Sequence, residues 1–103
     1  VDDEVFAWAC KQVREKKKLE TAPARRLVMA EGLCVQCMHI GPYDAEPDTV
    51  GRMERFMEEN GYCLDFSAFR RHHEIYLGDP RKTAPQRLRT VIRHPVRPEK
   101  AIL

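Results

Sequence analysis

Two side chains that can exchange protons or hold a cation, Glu74 and Tyr76, stand two residues apart in one apolar segment. The segment runs from His72 to Leu77, and its mix of branched and aromatic residues predicts a strand. Because alternate side chains of a strand share a face, Glu74 and Tyr76 lie on one face with His72. A carboxylate in the middle of a strand is unusual. Two interpretations stay open: a solvated or arginine-paired glutamate on a wet sheet face, and a ligand-binding carboxylate.

The ligand-binding interpretation predicts a carboxylate between aromatic walls, which would attract a cationic or hydrogen-bond-donating molecule. Poor solvation there would raise the pKa of the glutamate towards that of a general acid. Tyr43 follows the first predicted strand and could add aromatic surface, as could Trp8 in the first predicted helix, although Trp8 could equally be a core residue. We expect Ile75 and Leu77 to pack under the second helix, which leaves Glu74 and Tyr76 facing a cleft. The candidate ligand-binding residues are Glu74, Tyr76, Tyr43, His72, Trp8 and His39.

The pair Cys34 and Cys37 has the spacing of a redox or zinc motif. Strand parity argues against both, because positions three apart face opposite sides and no second pair follows at a suitable distance. We therefore expect neither a disulfide nor a metal site there. The chain also has no phosphate-binding glycine loop, no nucleophile elbow and no zinc-binding helix motif, so we expect no cofactor.

The composition predicts an ordinary soluble domain of 103 residues with a net charge of +2. No apolar run is long enough to span a membrane, and the four cysteines lack the spacing of a secreted disulfide scaffold, which favours a cytoplasmic protein. The charge is too small to indicate nucleic-acid binding by itself. The stretch 81–97 is basic, however, and leaves a nucleic-acid or protein-interaction module as an alternative.

The predicted elements alternate between helices and strands. A helix over 2–18 with acidic residues first and lysines last is followed by a linker at 19–24. The stretch 26–40 predicts two strand pieces or one strand with a bulge at Gly32, and a helix from Asp48 ends at Gly61. Strands over 72–77 and 88–94 complete an α+β fold, an antiparallel sheet with helices on one face. The second helix is predicted to bury Val50, Met53, Phe56 and Met57.

Two blocks of sequence resemble the GyrI-like small-molecule-binding proteins, over residues 2–97. The similarity is greater to the stand-alone proteins of this family than to effector domains fused to transcription factors. The first block comprises Glu31–Gln36, Met38–Asp44 and Glu46-Pro47, and the second comprises His73–Leu77, Asp79–Lys82, Ala84-Pro85 through Leu88, Thr90-Val91 and Arg93.

The resemblance implies two βαββ modules related by a pseudo-twofold axis, with a ligand cleft between them. This chain would be a linking helix (1–24), one module (25–97) and a tail (98–103). A preceding module in the same chain, or a homodimer partner, would complete the cleft. The resemblance makes Glu74 the acidic residue of the cleft, with Tyr76 beside it, and implies binding of apolar, aromatic or cationic drug-like molecules. Some stand-alone members are similar to hydrolases that open the cyclopropane ring of DNA-alkylating antibiotics, in which case Glu74 and Tyr76 would be catalytic.

Overall fold

The computed structural model describes residues 1–99, which form two helices and a four-stranded antiparallel sheet. The elements are α1 (Asp3–Lys17), β1 (Cys34–Ile40), α2 (Glu46–Asn60), β2 (Tyr62–Leu64), β3 (His73–Tyr76) and β4 (Arg89–Pro98). The predicted α+β class is confirmed. The short strand β2 was not predicted, because three residues give no readable alternation. Of the expected C-terminal tail at 98–103, residues 100–103 lie outside the described part of the chain.

β4 is the central strand and pairs with each of the other three. β1 lies along one side of it, from Cys34 opposite Pro95 to Ile40 opposite Arg89. β3 and then β2 lie along the other side. Within residues 1–99, the outer edge of β1 has no strand partner.

β4 runs past Pro95, before which the sequence pattern predicts the end of the last strand. The ladder resumes on both sides of this proline. The amide of Asp65 donates to the carbonyl of Pro95 (2.9 Å), and the amide of Val96 donates to the carbonyl of Leu33 (3.0 Å). β4 pairs with β3 before Pro95 and with β2 after it. This change of partner lets the strand continue, although proline itself lacks a donor.

α2 packs on one face of the sheet, over β1 and β2. It begins at Glu46, two residues before the predicted start, since Pro47 fits the first turn of a helix. It ends at Gly61 as predicted, in the left-handed conformation with φ 77°. Its buried residues are Thr49, Met53 and Met57, one helical turn apart, whereas the predicted core residue Phe56 is 55% exposed. The opposing buried residues of β4 are Thr90, Ile92, His94 and Val96.

A buried hydrogen-bond chain joins β1 to α2. His39 is 3% exposed; its Nε2 lies 2.8 Å from the carbonyl oxygen of Pro42, and its Nδ1 lies 2.6 Å from Oγ1 of Thr49. Because a carbonyl can only accept, Nε2 carries the proton and Nδ1 accepts from the threonine hydroxyl. The imidazole thus ties the start of α2 to the sheet.

The expected strand pieces at 26–33 are absent: this part of the chain has no regular structure. Its end is held instead by the guanidinium group of Arg70, which donates to the carbonyls of Glu31 (3.0 Å), Leu33 (2.5 Å) and Val96 (3.2 Å) and to the carboxylate of Asp65 (2.5 Å). One side chain thereby ties the segment before β1 to β4 through their backbone carbonyls.

α1 forms because Asp2 caps its first turn, accepting from the amide of Val5 at 2.8 Å, but it buries no residue. The radius of gyration, 18.0 Å, exceeds the roughly 13 Å of a compact chain of this length. α1 is therefore an outlying element. Neither helix within residues 1–99 combines the length and the apolar character that crossing a bilayer requires.

Candidate functional site

Glu74 and Tyr76 share a face of the sheet, but it is the face that carries α2. Glu74 pairs with Ile92 and Tyr76 with Thr90, and these β4 residues are buried beneath the helix. The expectation that Ile75 and Leu77 lie under α2 is therefore wrong: they are 40% and 55% exposed on the opposite face. The physical reason is that α2 does not extend across the sheet as far as β3. α2 lies over β1 and β2, so the β3 side chains on its side of the sheet stay next to the helix and not beneath it.

The phenol of Tyr76 donates a 2.6 Å hydrogen bond to Oε2 of Glu74. Tyr43 stands against Tyr76 edge-to-face, with ring centroids 5.5 Å apart. The Glu74 side chain is 19% exposed, while Tyr43 and Tyr76 remain 39% and 58% exposed. The hydrogen bond to the carboxylate raises the pKa of Tyr76 to about 12. The predicted grouping of this carboxylate with two aromatic rings is thus present, open to solvent on the tyrosine side.

Glu46, the first residue of α2, lies beside Glu74 and was not predicted as a site residue. Burial, followed by the hydrogen bond and the charge of Glu74, raises the pKa of Glu46 from 4.5 to about 7. The hydrogen bonds from Glu46 and then from Tyr76 lower the pKa of Glu74. The two neighbouring carboxyl groups therefore differ in protonation. Glu46 keeps its proton up to about pH 7, whereas Glu74 stays ionised. The only sequence signal for Glu46 was its place beside Pro47 at a helix start.

Two histidines continue the cluster on the other side of Glu74. Nε2 of His72 lies 3.4 Å from Oε1 of Glu74, and Nδ1 of His72 lies 2.7 Å from Nε2 of His94. His94 is only 6% exposed and packs against Phe66 with ring centroids 5.3 Å apart. Burial first, and the neighbouring His72 second, lower the pKa of His94. His72 was a predicted site residue; His94 was not, because on β4 it reads only as an inward-facing position.

The remaining predicted binding residues do not join the cluster in the same way. His39 is buried and both its ring nitrogens are engaged within the chain, so it supports α2 and offers no free nitrogen to a ligand. Trp8 is 63% exposed on α1, and within residues 1–99 it makes no ring contact with Tyr43 or Tyr76. We use the name Glu74 cluster for Glu74, Tyr76, Tyr43, Glu46 and His72.

The pair Cys34 and Cys37 and the basic stretch 81–97 are both placed by the structure on or beside the sheet. Cys37 pairs with Ile92 on the α2 face, whereas Cys34 pairs with Pro95 and lies on the opposite face. The basic stretch 81–97 is partly neutralised, since Arg81 contacts Asp79 at 3.1 Å, Arg93 contacts Glu31 at 2.8 Å and Arg97 lies 3.7 Å from Asp65.

A groove of about 590 Å³ adjoins the Glu74 cluster through His72. Much of its wall is apolar, formed by the irregular segment before β1 and the loop before β3. The wall residues are Leu27, Val28, Met29, Ala30, Ala68, Phe69, Arg71, His72 and His73.

Comparison with known proteins gives concordant results. A family model described as the GyrI-like small molecule binding domain matches residues 3–97. A crystal structure of a hydrolase from Listeria innocua is 43% identical over 94% of this chain and 50% of that chain, with a TM-score of 0.82. An uncharacterized conserved protein from Listeria innocua is 44% identical over 94% of this chain and 48% of its own, with a TM-score of 0.83. The chain thus spans about half the length of these solved structures. No curated protein matches it significantly.

Proposed function

This chain belongs to the family of GyrI-like small molecule binding domains, and we propose that it binds its ligand at the Glu74 cluster. The ligand is an aromatic or apolar molecule that carries a cationic or hydrogen-bond-donating group. Its polar group meets the carboxylate of Glu74, and its aromatic part lies against Tyr43 and Tyr76.

The observation that carries this proposal is the ionised, largely buried carboxylate of Glu74 beside two accessible aromatic rings. A carboxylate whose own neighbours are hydrogen-bond donors stays charged, and a desolvated charge attracts an oppositely charged group more strongly than a solvated one. Tyrosine faces add cation–π attraction for the same class of ligand. The apolar groove next to His72 offers further surface for the body of the molecule.

The basic stretch 81–97 supports the small-molecule proposal over a nucleic-acid one. Three of its arginines, Arg81, Arg93 and Arg97, lie next to carboxylates, so they contribute less to a cationic face. Phosphate-backbone binding depends on such a face and weakens steeply with salt. An affinity for duplex DNA that falls steeply between low and high salt would favour the nucleic-acid alternative.

The binding proposal is tested with ethidium, a cationic aromatic dye, by fluorescence titration at high salt. We expect Glu74→Gln to weaken binding about tenfold or more, the size of one charge-assisted interaction. The matched control is Glu59→Gln, an exposed glutamate on the same helix as Glu46, which should leave the affinity unchanged. Equal affinities for wild type and Glu74→Gln would reject the Glu74 cluster as the binding site.

A second candidate function is hydrolysis of electrophilic, cyclopropane-bearing toxins at the same cluster. The observation that favours it is the carboxyl pair: Glu74 can accept a proton while Glu46, with a pKa of about 7, can give one. A similar protein from Listeria innocua is described as a hydrolase. In such a reaction a water oxygen bonds to the cyclopropane carbon and its proton passes to Glu74. The broken C–C bond sends its electron pair to the conjugated carbonyl, which takes a proton from Glu46 or Tyr76.

Turnover separates the two functions. A cyclopropane-bearing alkylator is incubated with the protein, and the product with one added water is followed by mass spectrometry. We expect Glu74→Gln to lower the rate about 10²–10³-fold, the usual contribution of a general base. A hydration rate equal to that in buffer alone would leave binding as the function and reject hydrolysis.

A further inference from the structure

The histidine pair beside Glu74 has one proton assignment that satisfies the chemistry of both its ends. His94 Nε2 and His72 Nδ1 are 2.7 Å apart, so one of them carries the shared proton and the other accepts it. The two proton positions differ at both ends of the pair. They decide whether an N–H or a lone pair of His72 faces Glu74, and whether an N–H or a lone pair of His94 lies in the core.

The Glu74 end favours a proton on Nε2 of His72. That atom lies 3.4 Å from the carboxylate oxygen Oε1. With the proton there, an N–H faces the anion; without it, a ring lone pair faces the anion and repels it. A neutral imidazole with its proton on Nε2 has a free lone pair on Nδ1, and His72 Nδ1 is then the acceptor for His94.

The core end favours the same assignment independently. Nδ1 of His94 is buried and has no hydrogen-bond partner among residues 1–99. If His94 accepted from His72, its own proton would sit on this Nδ1 as a buried donor without an acceptor, and such groups are rare. With the proton on Nε2, the partnerless atom is a lone pair, which is the less costly choice.

We infer that His94 is a positioning residue for the Glu74 cluster. By donating from Nε2 to Nδ1 of His72, it holds His72 in the tautomer whose Nε2–H faces Glu74. The ring of His94 is itself fixed by Phe66 and by burial in the sheet. The carboxylate of Glu74 therefore has the Nε2–H of His72 3.4 Å from Oε1 and accepts a hydrogen bond from Tyr76 at Oε2. The tautomer of His72 is independent of the proposed function. Only the effect of His94 on ligand affinity rests on that function.

The tautomer of His72 is measured directly from its ring ¹⁵N shifts in the unliganded protein, at a pH where the pair is neutral. We expect the Nε2–H form in wild type. His94→Phe keeps the ring against Phe66 but removes the donor, so His72 should become a mixture of both tautomers. His94→Gln restores an N–H and should return His72 to the Nε2–H form. A wild-type His72 protonated on Nδ1, or a tautomer unaffected by His94→Phe, overturns the inference.

Ethidium titration then links the tautomer to the site. We expect His94→Phe to weaken binding about twofold, because only about half of a mixed His72 population keeps its Nε2–H towards Glu74, and His94→Gln to recover most of that loss. Should His94→Phe prove poorly folded, the wild-type tautomer and His94→Gln still decide. The two proposals fail separately. Binding that is insensitive to Glu74→Gln rejects the site but leaves the tautomer result standing. Binding that depends on Glu74 while wild-type His72 is protonated on Nδ1 rejects only the role of His94.

Discussion

Glu46 and Glu74 show how one pair of identical side chains acquires two chemistries from its surroundings. Glu74 receives hydrogen bonds from several donors and stays ionised, whereas Glu46 is partly desolvated beside that charge and keeps its proton to about pH 7. The two carboxyl groups therefore carry about one negative charge below neutral pH and gain a second above it. A cationic ligand should sense this change, because each added charge at short range strengthens its attraction.

Ethidium should bind more tightly as the pH rises through about 7, by about fivefold, as Glu46 ionises. Glu46→Gln should remove most of this dependence, since glutamine does not titrate. Fluorescence titrations from pH 5.5 to 8.5 provide the measurement, with Glu59→Gln as the matched control. A dependence that persists undiminished in Glu46→Gln would point to another titrating group, such as His94.

The same carboxyl group predicts a pH effect on folding. The folded-state pKa of Glu46 lies above its ordinary value, so between 4.5 and about 7 the folded chain holds a proton that the unfolded chain has released. By linkage, this group's contribution to the free energy of unfolding is full below 4.5 and is lost as the pH rises to about 7. Urea unfolding at several pH values should show a shallower decline in Glu46→Gln than in wild type.

At the scale of elements, the sequence predicted α2 and its stop at Gly61 because periodicity and a C-terminal glycine are local signals. It also predicted that Glu74 and Tyr76 share a face, since strand parity is equally local. Which face they occupy was not predictable, because that depends on how far α2 reaches across the sheet. Glu46 was missed for a related reason: it comes from a different element and meets Glu74 only when the helix is docked on the sheet.

The docking of α2 depends on the buried contact between His39 and Thr49. Thr49→Val keeps the shape of the side chain but leaves Nδ1 of His39 as a buried acceptor without its donor. We expect the free energy of unfolding to fall by about 1–3 kcal/mol, measured by urea denaturation. Thr21→Val, in the irregular segment after α1, is the matched control and should change it by less than about 0.5 kcal/mol. Equal losses in both variants would show that the His39 contact carries no special weight.

The whole molecule is extended, with α1 outside the core and apolar side chains exposed on the sheet face opposite α2. These include Met38, Ile40, Ile75 and Leu77. In the described part of the chain, β1 adds an edge that has no strand partner and carries no charge or proline. Contiguous apolar surface and an open edge of this kind are usually covered by a partner. The chain also spans about half of each similar solved structure.

We propose that a second copy, or a second module of the same protein, covers this surface. Light scattering on the 103-residue chain alone should give about twice its 12.0 kDa mass. Ile40→Glu, which puts a charge at the exposed end of β1, should shift the population towards the monomer, while Leu19→Glu, an exposed control far from the edge, should not. A monodisperse 12.0 kDa species at high concentration would argue against self-association.

The central position of β4 has a consequence for how the protein is made. All three other strands pair only with β4, and β4 occupies residues 89–98. No part of the sheet can therefore close while the ribosome is still adding the residues before 89, whereas the helices α1 and α2, of 15 residues each, can form earlier. During synthesis β1 therefore has no strand partner, and the apolar face of α2 is not yet covered by the sheet. Nascent chains in such a state recruit chaperones or associate with one another. Folding of this module is thus expected to follow translation of β4, so synonymous codons that slow the ribosome upstream of it should lower the soluble yield.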